Sequence, residues 1–511
     1  MSAPAQWFAA RSIIARLDVP AYWQQLAYRE RVLGWVRQGL GGVCLFGGAP
    51  EEATRAVMEV LGEAPLPITV AADLEYGLPM RFTGGTPFPR ALALARAGQV
   101  GMTARIARAI ARQARQLGIG WNFAPVCDIA TNPANPVIGI RAFGQSPEQA
   151  IPHIQAWIEA SQAEGVWACA KHFPGHGDVA VDSHDALPTV VVDEQTLWNR
   201  EIEPFRSAIA AGVAGVMLGH LRVPALGIDR VPASLSSIAV DLLRQRLNYD
   251  GLILTDALDM GAVTQHWSTA DAVGLALRAG VDLLLMPADV DEALEAATRL
   301  LQVEPALLAR RRLSISRLQR FREQVRPPEE VGTLSEHPEE LQVALQSAWA
   351  ALEITGCPEL VPLPGEGHVA VFACLAEKKL EPATLFFRLL AQHTRCHCDM
   401  AYVDAQLTPE DEQRLYHSIA GATHIVVVLF APPRLSPFVV QRWYSLVAGC
   451  ATRLPTLVVL AGNPFLPLPE RVTTVVRTFA DTEPSIVAAA LLLAGIEPVW
   501  DCAQGAYDDV V

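Results

Sequence analysis

No apolar run in this 511-residue chain approaches the roughly 18 residues that a membrane-spanning helix needs. The N-terminal MSAPAQWFAARSIIARL shows no basic leader followed by an unbroken apolar core and a cleavage site, so it does not read as a secretory signal. The expectation is a soluble, cytoplasmic protein with no membrane partner. Excess positive charge is missing too. Forty Lys and Arg face 54 Asp and Glu, a formal charge of −14, which argues against a nucleic-acid phosphate backbone as partner. A neutral ligand fits better. The nine cysteines, odd in number and scattered from Cys44 to Cys502, lack the pattern of a disulfide framework and suit a reducing compartment. Cys396 and Cys398 stand too isolated for a zinc motif. Neither a Walker nor a GxGxxG fingerprint occurs, and no GxSxG elbow, so no nucleotide and no α/β-hydrolase serine is expected.

What is present is a well-filled globular chain, with 51% hydrophobic and 18% charged residues. Short apolar runs alternate with amphipathic segments: GGVCLF, ITVAAD, IGWNFAPVCD, VWACAKHF, GVMLGH, GLILTD and VDLLLMP each read as a buried parallel strand. Segments such as GMTARIARAIARQARQLG and DAVGLALRAG between them repeat apolar residues at helical spacing. This rhythm predicts a TIM-type (β/α)8 barrel over residues 1–325. RPPEEVGTLSEHPEE marks a linker over 326–342 by its prolines, acids and lack of periodicity. Residues 343–511, with strand-like HVAVFACL, HIVVVLF and TLVVLAGNPF among helical segments, predict a second, smaller open α/β sandwich domain.

Polar residues recur directly after the apolar runs: Asp73, Asp128, Lys171 with His172, His220 and Asp256. On a barrel these positions form the C-terminal rim, where catalytic groups come from several strand ends. The densest stretch is Lys171-His172-Phe173-Pro174-Gly175-His176-Gly177-Asp178, followed by Asp182-Ser183-His184. His172 and His176 cannot share a helical face across Pro174 and Gly175, which excludes the helical zinc-protease geometry. A loop-borne metal site at His172, His176, Asp178 and His184 stays open. Asp182 and His184 flank Ser183, so a turn can converge them into a dyad in which the carboxylate orients the ring and supports its protonated form. Asp256 leaves its strand directly and is the better candidate nucleophile, whereas Asp259, a turn later, reads as a helix cap.

Together these residues make the chain resemble glycoside hydrolase family 3, in particular its β-N-acetylglucosaminidase branch. KHFPGHGD with DSH, TDALDM, NFAPVCDI with VIGIRAFG, and ADLEYG followed by Arg81 carry the resemblance, in that family's order. It implies a retaining exo-glycosidase that removes terminal β-linked N-acetylglucosamine from glycans, cell-wall fragments or small glycosides, without metal or organic cofactor. It further implies Asp256 as nucleophile, His184 as general acid/base and Asp182 as its dyad partner. Asp73, Arg81, Arg141, Lys171 and His172 would hold the sugar. An imidazole acid departs from the two-carboxylate scheme of most glycosidases and separates this branch from plain β-glucosidases. Tyr76-Gly77 replaces a common Gly-Gly, and Val179 a frequent threonine, which bears on the aglycone. A β-N-acetylglucosaminide phosphorylase or a β-glucosidase of the same family is the neighbouring alternative, and a sugar-binding protein without turnover the alternative of another class.

Overall fold

The structure, a computed structural model, describes residues 5–180, 182–183, 186–322, 334, 337–376, 379–404, 409–432 and 434–498. The chain forms two compact units, Met1–Thr86 with Thr103–Ile138 and Ala142–Glu336, and Pro87–Met102 with Gly139–Arg141 and His337–Val511. Two pieces from within the stretch read as barrel therefore group with the second unit.

Among the described residues eight parallel strands run through the first unit: β1 Ile13–Asp18, β2 Gly42–Phe46, β3 Thr69–Ala72, β4 Trp121–Asn122, β5 Cys169–Phe173, β6 Gly215–Leu218, β7 Leu252–Thr255 and β8 Leu284–Leu285. They form two sheets, β4-β3-β2-β1-β8 and β5-β6-β7. Parallel bridges from Trp121 to Trp167 and Val126 to Lys171 join the sheets on one side, and Leu254 to Leu283 on the other. The strands thus close in sequence order as a TIM-type barrel. The seven apolar runs read from the sequence fall on β2 to β8. Arg16, exposed between buried Ala15 and Leu17, interrupts the run that would have marked β1. IGWNFAPVCD yields only two strand residues, because Pro125 has no N–H to extend the ladder.

Cys44, Ala71, Trp121, Phe123, Cys169, Met217, Leu252 and Leu254 fill the barrel interior. Gly215 opens β6 because a Cβ there would stand 2.5 Å from the Trp121 ring. The N-terminal ends of the strands are sealed by the helix Pro305–Arg322. Its Phe321 meets Trp167 edge-on at 5.6 Å, and Arg322 donates to the Gly41 carbonyl at 2.7 Å. With that end plugged by apolar groups, polar side chains collect at the other.

In the second unit β9 Glu353–Gly356, β10 His368–Leu375, β11 His397–Asp404, β12 His424–Ala431, β13 Thr456–Gly462 and β14 Thr474–Arg477 make one sheet in the order β11-β10-β12-β13-β14-β9. All neighbours are parallel except β9 on β14. Phe386, Leu390, Ile486 and Leu491 pack on one face, Trp443, Leu446 and Val447 on the other, giving the expected open sandwich. The helix Pro338–Ala351 starts inside the stretch read as linker. The proline and acids that suggested a linker there occupy the first turn, where a helix favours both. No helix among the described residues is long and apolar enough to cross a membrane.

Candidate active site

The ADLEYG segment leaves β3 pinned by β4. Asn122 accepts from the Leu74 N–H at 2.9 Å and donates to the Leu74 carbonyl at 3.2 Å. Asp73 on one side of Leu74 and Glu75 on the other both meet Lys171, which is almost fully buried. Its Nζ donates to Asp73 Oδ1 at 2.8 Å and lies 2.7 Å from Glu75 Oε1. Arg81 Nη2 donates to the second Asp73 oxygen at 2.6 Å, its guanidinium lying over the Phe46 ring. Burial raises the Asp73 carboxyl, but Lys171 and Arg81 outweigh it and hold Asp73 well below the usual carboxylate range. Such a clamp offers charged acceptors and donors in a fixed fork, the equipment for binding neutral hydroxyls.

The KHFPGHGD loop is built around Asp128, whose carboxylate is fully buried. It accepts from the backbone N–H of His172 at 3.2 Å, from that of His176 at 2.7 Å and from His172 Nδ1 at 2.7 Å. The last bond keeps the proton on Nδ1 and orients the ring. Burial would raise the Asp128 carboxyl, but His172 and the loop amides bring it below its ordinary value. Asn135 ties the same loop by donating to the His176 and Gly177 carbonyls at 2.8 and 3.0 Å. Gly177 has to be glycine, since a Cβ there would lie 1.7 Å from the Ile129 carbonyl oxygen. Farther along, Arg200 donates to Asp178 at 2.6 Å and to fully buried Glu201 at 2.7 Å. Burial pushes the Glu201 carboxyl up to about 7, with Arg200 opposing.

Asp256 directly follows β7. Its N–H completes the ladder to the Leu218 carbonyl at 2.9 Å, and its side chain accepts from the Ala257 N–H at 2.8 Å. His220, after β6, donates from Nε2 to the Ala257 carbonyl at 2.8 Å and accepts at Nδ1 from the Ser234 hydroxyl at 2.7 Å, which fixes the peptide behind Asp256. Burial raises the Asp256 carboxyl, yet the fields of His220 and His172, the Ala257 N–H and Lys171 together lower it. Asp259 goes the other way. Its carboxyl is raised by burial and by Asp256, with Arg16 3.7 Å away opposing. Of the two, Asp256 is the one whose ionised form its surroundings favour.

Asp182 and Ser183 are buried. The Ser183 hydroxyl lies 3.1 Å from His176 Nε2, and its carbonyl accepts from the Ala262 N–H at 3.2 Å. The segment bearing Asp182 is thereby fastened to the short helix that follows Asp256. His184 lies outside the described residues. Arg141 ends the turn Gly139–Arg141 and belongs to the second unit. Of the ligands in the loop-borne metal alternative, His172 Nδ1 meets Asp128, His176 Nε2 meets Ser183 and Asp178 meets Arg200, while His184 lies outside the described residues. Burial, with His172 nearby, lowers the His176 pKa to about 4, which keeps that ring neutral.

Residues 18–319 match the glycosyl hydrolase family 3 N-terminal domain. The chain belongs to glycosyl hydrolase family 3. Among curated family 3 relatives, "Beta-hexosaminidase A" of Pseudoalteromonas piscicida is 36% identical over 249 residues, 44% of this chain and 40% of that protein. "Beta-hexosaminidase LpqI" of Mycobacterium tuberculosis is 38% identical over 236 residues, 44% of this chain and 60% of that one. The match thus spans about half the length of these two relatives. A solved glycoside hydrolase family 3 beta-N-acetylglucosaminidase from Paenibacillus sp. str. FPU-7 superimposes with a TM-score of 0.84 at 27% identity, covering 98% of both chains.

Sequence reasoning marked Asp73, Arg81, Lys171, His172, Asp182 and Asp256, and the barrel unit contains them all. It assigned no site role to Glu75, Asn122, Asp128 or Glu201. Asp128 carried a signal, as a polar residue closing an apolar run. Glu201 carried none, since a glutamate in a helical segment normally faces solvent.

Proposed function

We propose that this family 3 chain is a retaining exo-glycosidase that releases terminal β-linked N-acetylglucosamine. The observation that supports the reading is the bond from Ala262 N–H to the Ser183 carbonyl, which ties the buried Asp182–Ser183 pair to the short helix that follows the ionised Asp256. Asp256 forms an ester bond to the anomeric carbon as the glycosidic C–O bond breaks. His184, protonated and supported by Asp182, gives its proton to the departing oxygen. The now neutral imidazole takes a proton from water, whose oxygen attacks the same carbon and frees Asp256, so two inversions retain the configuration. Asp73, Arg81, Lys171 and His172 hold the sugar hydroxyls. The likeness to a solved beta-N-acetylglucosaminidase supports N-acetylglucosamine as the sugar. Free thiols at Cys44, Cys127, Cys169 and Cys374 support work in a reducing compartment such as the cytoplasm, where recycled cell-wall fragments would be the source of substrate.

The test is a rate comparison on chromogenic β-N-acetylglucosaminide, β-glucoside and a muropeptide-like glycoside, with and without phosphate. Faster release from the N-acetylglucosaminides, independent of phosphate, is expected. Faster β-glucoside turnover, or a sugar phosphate as product, would overturn the reading. Mass spectrometry after a slow fluorosugar should find the adduct on Asp256. An adduct on another side chain would refute its role.

A further inference from the structure

A second cluster of chemistry-bearing side chains lies in the other unit, on a sheet that the glycosidase reading leaves without a task. Strands β10 and β11 pair in parallel, with His368 opposite His397 and Ala370 opposite Asp399. Alternate strand residues share a face, so this register places His368, His397 and Asp399 together at the start of both strands. His368 Nε2 lies 2.7 Å from Asp399 Oδ2, and His397 Nε2 lies 3.2 Å from Asp399 Oδ1. One donor atom from each of the three falls within 4.8 Å of the others.

We propose that His368, His397 and Asp399 form a surface site for a divalent transition-metal ion of the Zn2+ type. Zinc bonds of roughly 2.0–2.1 Å set tetrahedral donors about 3.3 Å apart, and the spacings here approach that value by small side-chain rotations. Two imidazoles and one carboxylate match the ligand preferences of Zn2+, Cu2+ or Ni2+, whereas Ca2+ and Mg2+ prefer all-oxygen shells. The backbone beneath is already held. Thr423 donates to the His368 carbonyl from its N–H at 2.8 Å and its hydroxyl at 3.0 Å, and His397 N–H donates to Gly367 at 3.0 Å. His397 is largely exposed and Asp399 about half, so water can complete the shell. The net charge of −14 favours cation approach. An ion there would staple the sheet's edge strand β11 to β10, an edge that otherwise offers unpaired backbone groups.

The test uses the full-length, chelator-dialysed protein titrated with Zn2+ alone in a calorimeter, followed by thermal unfolding with and without the ion. The expected result is one saturable site and a rise of a few degrees in the midpoint of the second unit. His397→Ala should weaken that binding by at least ~10-fold and cancel the thermal rise. Asp399→Asn, which preserves size, should do the same and provides the measurement should the first variant fold poorly. Binding that persists unchanged in a folded variant, which would place the zinc elsewhere, overturns the proposal. So does a wild-type protein that shows no saturable binding.

Discussion

Replacing Glu201 by glutamine isolates one buried proton. Glu201 is fully buried against Gly175 of the active-site loop, and Arg200 donates to its Oε1 at 2.7 Å. Among the described residues Oε2 has no hydrogen-bond partner. Burial raises its pKa to about 7, whereas an unfolded glutamate ionises near pH 4.3. Between these values the folded state keeps a proton that the unfolded state has lost, so stability must fall as pH rises. The fall begins above about pH 4 and is complete once pH passes the folded value, amounting to about 4 kcal/mol in all. Glu201→Gln keeps an oxygen acceptor for Arg200 and cannot titrate. Any effect of its new amide group is a constant offset across pH. Following the barrel unit's unfolding at pH 5, 6, 7 and 8 for both proteins should show the variant gaining on wild type by up to about 3 kcal/mol, several degrees in midpoint. A difference that stays flat across this range, or that grows as pH falls, refutes the buried-carboxyl argument.

Asp256→Ala should lower kcat by at least about 10³-fold while fluorescence titration finds sugar affinity little changed, because the clamp on Asp73 is untouched. In Asp182→Asn the alkaline limb of kcat/KM should move about one unit lower, since the acid must be protonated and loses its supporting charge. The acid limb, set by the lowered Asp256 pKa, should stay below the ordinary aspartate range in both enzymes; an unshifted alkaline limb would count against the dyad. Lys171→Met leaves Asp73 and Glu75 facing each other without their shared cation and should cost about 3–5 kcal/mol in barrel stability. A neutral effect on the thermal midpoint would mean that the pair relaxes into solvent.

The barrel was readable because its strands are buried on both faces. Runs such as ITVAAD and GLILTD carry no charged residue until the chain reaches the rim, so the first charge after each run marks both the strand's end and a candidate site residue. β1 escaped notice because exposed Arg16 interrupts it, and β11 because its edge position leaves only Val403 fully buried. The candidate site residues at the strand ends were legible from position alone. Their supports were not, because support depends on residues remote in sequence: Asn122 holds Leu74 from 48 positions away, and Asp128 holds His172 from 44.

The order of residues alone was enough to set the fold class, the rim residues and the choice between one titratable side chain and its neighbour as nucleophile candidate, since hydrophobic periodicity and the point where it breaks are local properties. Folding decided the electrical state of those groups. Asp256 is lowered and Asp259 raised, although only three positions separate them, because burial and the charges brought near by other strands differ at the two sites. Folding also brought His368 to His397 and Asp399, which no local pattern announces, because pairing register between strands is fixed only when the whole sheet assembles.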